Sequence, residues 1–122
     1  MPGARARAEI RQVQRAVEWA ADVLEFTDAE VGGALGASAR SVARWKGALH
    51  RPGDRHVEAA ERLLALAHAL DEVFGKDLDR LHDWLHEPLP ALGRRTPLRA
   101  LADGKLEQVL EVLANVNTGA FA

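Results

Sequence analysis

Two groups of side chains in this chain have the type and spacing to do chemistry: Arg40 with Arg44, and His82, Asp83 and His86 in the stretch HDWLH. Residues four apart share one helix face, and an arginine fork can pair with N7 and O6 of a guanine, so the arginines are what a major-groove reader would carry. The two histidines approach the zincin pattern HExxH, in which both histidines hold zinc and the glutamate is the base. Here the acid is an aspartate and no third ligand is placed by the sequence. Leu78, Leu81, Trp84 and Leu85 account for the segment as an amphipathic packing helix. No Ser/His/Asp arrangement and no phosphate-cradling glycine loop is present. We therefore assign no catalytic residue, no metal ligand and no cofactor, and expect a binding protein rather than an enzyme.

The charge pattern favours the arginines. Residues 1–56 hold nine Lys/Arg against seven Asp/Glu, and residues 57–122 hold seven against eleven, so the halves carry +2 and -4. From Ala37 to His56, Arg40, Arg44, Lys46, Arg51 and Arg55 face the single acid Asp54. Such a patch suits phosphate contacts, although a solvated surface face would look the same. The absence of cysteine leaves stability to packing alone and fits a reducing cytosol. No apolar run is long enough to span a membrane, and the arginine-rich start lacks the apolar stretch of a signal peptide, so a cytoplasmic protein is expected.

The elements that must position these residues are all helical. Alanine, leucine, arginine and glutamate dominate, and no alternating β-branched run or hairpin turn signal appears, which predicts an all-α fold. A first helix is expected over Ala6–Leu24, with Ile10, Val13, Val17, Ala20, Ala21 and Leu24 on its apolar stripe. Thr27 and Glu30 have the spacing of a capping box opening a helix over Asp28–Leu35. Gly36 suits a helix end, Ser38 a cap, and a third helix should run from Ala39 to about Ala48. Two helices joined by so short a turn match the helix-turn-helix pattern. On the second, Val42, Trp45 and Leu49 should face inward, which puts Trp45 in the core, while Arg40 and Arg44 face out. Arg40 and Arg44 are the base-edge candidates; Ser38, Ser41, Lys46 and Arg51 are the phosphate candidates. Helix-turn-helix units also occur as plain packing units.

After Pro52 and Gly53 comes the longest helix, with Leu63, Leu66, Ala67, Leu70, Val73 and Phe74 on one stripe, His68 at its edge and Gly75 at its end. Pro88, Pro90 and Gly93 mark a loop, Thr96 and Pro97 a helix start, and Leu98 and Leu101 the inner face of a short helix ending near Gly104. A closing helix carries Leu106, Val109, Leu110, Leu113 and Val116, and Gly119 releases a tail in which Phe121 either folds back on the core or inserts into a partner. The chain is thereby divided into an N-terminal helix with helix-turn-helix unit (1–56), a connecting helix (57–75) and a C-terminal part (76–122).

From about Thr27 onward, the order of "SARSVARW", a leucine-rich helix ending "VFG", "DWLHEPLPALGRRTPLRALADGK" and "QVLEVLANVNTGAFA" resembles the Xre/MbcA/ParS-type antitoxins. "WLHEPLPALGRRTPLRALADG" is the piece most similar to that family's toxin-binding domain. The resemblance implies an antitoxin of a type II toxin–antitoxin system whose partner is a RES-domain toxin that destroys NAD, inhibited by covering its active-site entrance. By the same resemblance Asn115, Asn117, Thr118, Gly119, Ala120, Phe121 and Ala122 would lie at the toxin cleft, and residues 76–122 would be the toxin-binding domain. It further implies self-association and operator DNA as a second partner, with autorepression of the operon. Two rivals differ in what they demand. A free-standing helix-turn-helix regulator would bind its operator in a salt-sensitive way without such a neighbour, and a metal-dependent hydrolase would hold zinc through His82 and His86.

Overall fold

The computed structural model describes residues 3–117, except the side chain of Asn117. Within them the chain forms seven α-helices: α1 (Ala4–Val23), α2 (Asp28–Leu35), α3 (Ala39–Lys46), α4 (Asp54–Phe74), α5 (Leu78–Leu85), α6 (Pro97–Ala102) and α7 (Leu106–Asn117). A single 3-10 turn, Pro90–Leu92, lies between α5 and α6. The all-α expectation holds throughout this range.

Local signals place the helix ends. The Thr27 hydroxyl accepts from the Glu30 amide at 3.2 Å, and the Glu30 carboxylate accepts from the Thr27 amide at 2.9 Å, closing the expected capping box. Gly36 takes a left-handed conformation (φ 72°) that side chains resist, and Ala37 N–H reaches back to the Gly32 carbonyl at 2.8 Å. Only Ala37 then separates Gly36 from Ser38, the cap of α3. Thr96 caps α6 through the Arg99 amide at 3.0 Å, with Pro97 at the first helical position.

One apolar core runs through all of these elements. α1 packs along α4, α2 packs on α3 and α6, and α7 closes against α4 and α6. Val13, Val17, Val31, Val42, Trp45, Leu63, Leu66, Leu92, Leu101, Val109 and Leu113 are among its largest fully buried side chains. α4 crosses without a break from Asp54 to Phe74, so it passes the boundary at residues 56 and 57 as one rod. The tightest joint is between α2 and α6, where a Cβ at Gly33 would collide with the Ala102 carbonyl and one at Gly104 would stand 3.3 Å from the Gly33 carbonyl. Backbone approaches that close are what glycine permits.

Several expected inward positions turn outward. Leu49 is 82% exposed, because α3 stops at Lys46 and Ala48 takes φ 56°, carrying the chain off the helical stripe. Leu78, at the first position of α5, is 68% exposed. On α1 Ala21 is exposed and Ile10 half-buried, while Ala6 and Ala16 take core places the stripe did not include. α1 also begins two residues earlier than expected, at Ala4.

Candidate functional site

Two surfaces gather the candidate residues. The first is the outer face of α3. Its inner face is held by Val42 and Trp45, the latter 1% exposed, so Trp45 belongs to the core and not to a stacking surface. The Trp45 ring lies 5.0 Å from that of His56, whose Nε2 is 3.3 Å from the Gly36 carbonyl, so α4 braces both the helix and the turn before it. Arg40 and Arg44 are exposed on the opposite face. The helix has only eight residues, yet its apolar and charged residues separate cleanly around it.

The phosphate candidates fall into different environments. Ser38 Oγ accepts from the Ser41 amide at 3.1 Å and lies 3.2 Å from Ser41 Oγ, so both hydroxyls already serve the helix cap. Lys46 donates to the Asp28 carboxylate at 3.1 Å, which sets part of its charge against α2. Arg51 lies 3.9 Å from Glu9 and remains largely exposed. The six residues are thus not brought onto one surface: Arg40 and Arg44 share the exposed outer face of α3, Ser38 and Ser41 serve its cap, Lys46 turns to α2 and Arg51 to α1.

The second surface is the C-terminal end of α7. Asn115 is exposed there and Asn117 is the last residue of the helix. Thr118, Gly119, Ala120, Phe121 and Ala122 lie outside the described residues. Beside this end, Trp84, Glu87, Leu89, Pro90, Ala91, Val112 and Val116 line a mostly apolar cleft of about 330 Å³. Helical periodicity accounts for Trp84 as packing alone and does not single out Leu89, Ala91 or Val112. The cleft is assembled from α5, the 3-10 turn and α7, so no single periodicity could have shown it.

The loop beneath that cleft is fixed by its own backbone. Leu89 N–H donates to the Arg95 carbonyl at 3.1 Å and Arg94 N–H to the Leu89 carbonyl at 2.9 Å, forming an isolated bridge around the Pro90–Leu92 turn. Arg95 and Arg99 both reach Asp103 at 3.4 Å, tying the loop to the end of α6. The HDWLH segment is a packing helix with Leu81, Trp84 and Leu85 buried. His86 turns Nδ1 to the His82 carbonyl at 2.8 Å, and the two rings lie 4.2 Å apart. Among the described residues no group of three or more His, Asp or Glu side chains could hold a metal ion. No helix among them is long and apolar enough to cross a membrane.

An all-helical chain with a C-terminal segment built this way falls into a recognisable class. Residues 69–119 match the model of the antitoxin Xre/MbcA/ParS C-terminal toxin-binding domain, beginning inside α4 and running through α7. The mycobacterial cidal antitoxins MbcA of Mycobacterium tuberculosis and Mycobacterium bovis are each 32% identical over 105 residues, covering 86% of this chain and 91% of theirs. A chain in the crystal structure of the M. tuberculosis MbcT-MbcA toxin–antitoxin complex superposes with a TM-score of 0.59 at 31% identity, over 89% of this chain and 96% of that one. The chain belongs to the Xre/MbcA/ParS family of antitoxins, which are not enzymes.

Proposed function

We propose that this antitoxin neutralises a cognate toxin in the cytoplasm by binding it through residues 76–122, with residues 57–75 as the connecting helix and residues 1–56 as a DNA-facing unit. The toxin, on the family resemblance, is a RES-domain protein that degrades NAD. Asn115, Asn117 and Thr118 to Ala122 enter or cover its active-site entrance, and the apolar cleft by Trp84 and Val116 adds a second contact. The observation that carries this reading is the match of residues 69–119 to a toxin-binding domain, reinforced by a solved toxin–antitoxin complex containing a similar chain. Binding energy at an interface concentrates in a few large anchors seated in well-packed, desolvated pockets, a role open to an aromatic ring such as Phe121.

The test is to express the neighbouring toxin gene with the full chain or with a chain ending at Asn117, and to measure cellular NAD. The full chain restores NAD. The truncated chain loses about 2 to 4 kcal/mol of binding, about 30- to 1000-fold, if Phe121 is such a hot spot. Undiminished protection by the truncated chain would remove the plug from the proposal.

The second arm concerns operator DNA. It rests on Arg40 and Arg44, exposed on the outer face of α3 just after a glycine turn. In this reading α2, the turn and α3 are a helix-turn-helix, α3 enters the major groove, and self-association pairs two such helices on a palindromic operator to repress the operon. If no toxin is neutralised, this arm alone would describe a free-standing regulator.

A further inference from the structure

Two helices border the C-terminal end of α3, and they bring opposite charge to it. From α2, Asp28 receives Lys46 at 3.1 Å, with Glu30 two residues on in the same first turn, in the capping box. From α1, Gln14 donates its amide to the Trp45 carbonyl at 2.9 Å and reaches the Lys46 carbonyl at 3.5 Å. These are among the last carbonyls of α3, and the side-chain amide closes them as a cap would. The contact fixes the middle of α1 against the end of the candidate reading helix.

Gln14 stands between Arg11 and Arg15, both exposed. At 3.6 residues per turn, Arg11 lies within about 60° of Gln14 and Arg15 about 100° away on the same side. On another face of α1, about 140° from Gln14, Glu9 lies 3.9 Å from Arg51 of the loop after α3 and 3.3 Å from Arg5. One acid is thus set against two guanidinium groups. Beyond Arg15 the Gln14 face of α1 becomes acidic, with Glu18 and then Asp22. The surplus positive charge beside the Gln14 contact therefore comes from the N-terminal half of α1, from Arg11 and Arg15. It does not come from α2, whose first turn is acidic.

We propose that Arg11 and Arg15 form a phosphate-contacting extension of the α3 surface that grips the backbone of duplex DNA beside the groove α3 enters. The proposal rests on the operator-reading arm above and assigns the backbone contacts to α1. Phosphate contacts of this kind add affinity for any sequence and are read as salt dependence, whereas base contacts carry preference.

The experiment measures binding of the full chain to a labelled duplex from the promoter region upstream of its own gene and to a scrambled duplex, across a salt series. Replacing Arg11 and Arg15 together by Gln should flatten the slope of log K against log salt by about 2, since each phosphate left without its arginine removes about 0.9. Both duplexes should weaken by the same factor. Arg11→Lys with Arg15→Lys should keep the slope, because the charge is retained. A wild-type chain that binds the promoter, together with a Gln variant of unchanged slope, would overturn the assignment to α1 alone. A wild-type chain that binds neither duplex at low salt would overturn the operator-reading arm and this inference with it. Both arginines are exposed, and circular dichroism of the variants checks that the helices are intact.

Discussion

The α2–α3 hairpin and the segment from α5 to α7 are both built from short helices, but they are held in different ways. The hairpin is specified locally: a capping box at Thr27, a left-handed glycine at Gly36 and a serine cap at Ser38 lie within twelve residues of sequence, 27–38. The C-terminal segment depends more on contacts between elements. A bridge between Leu89 and Arg95 turns the chain, Asp103 holds two arginines, and the apolar cleft needs three elements at once. The surfaces differ to match. The hairpin presents charge on a rigid helix, which suits a charged and regular partner, while the C-terminal end presents an apolar hollow, which suits an inserted side chain.

The two regions are distinct in surface yet joined in their core, and the joint is where the contrast can be broken most severely. Gly33→Val should destabilise both halves together by about 3 kcal/mol or more, since the added carbons meet the Ala102 backbone and no side chain can move aside. Thermal unfolding checks this: a single cooperative transition at lower temperature is expected, and separate loss of one half would show the joint to be dispensable.

A milder pair of substitutions sharpens the contrast between the regions. Thr27→Ala and Thr96→Ala each remove one cap, at a cost of about 1 kcal/mol. Hydrogen exchange should show Thr27→Ala loosening α2 and Thr96→Ala loosening α6, with little crossing over. Equal loosening of both helices by either variant would mean that the caps act only through global stability.

The smallest effect is expected at Leu49. Leu49→Ser should change stability by no more than about 0.5 kcal/mol, because the side chain is already in solvent. A loss near that of a core truncation would restore the inward position that its spacing with Val42 and Trp45 suggested.

Much of the fold was legible in the chain because it is written in short-range chemistry. The capping box, the bounds of α2, the end of α4 at Gly75 and the proline start of α6 all follow from residues a few positions apart. The family was legible too, through the loop and helix after Trp84. Spacing misled where a helix ended early. Leu49 continues the stripe on paper, but Ala48 has already left the helix, and a positive φ at a non-glycine residue carries no sequence mark.

The sequence by itself determined an all-helical chain, the outward pair Arg40 and Arg44, the core place of Trp45 and membership of an antitoxin family. Caps, helical periodicity and a long matching segment each leave a trace in residue order. Only the tertiary structure decided that Gly33 meets Ala102, that Gln14 fastens α1 to the end of α3, and that Trp84 shares a cleft with Val116. These pairs lie far apart along the chain, and their contact depends on how whole helices pack around one core. No local pattern encodes that arrangement.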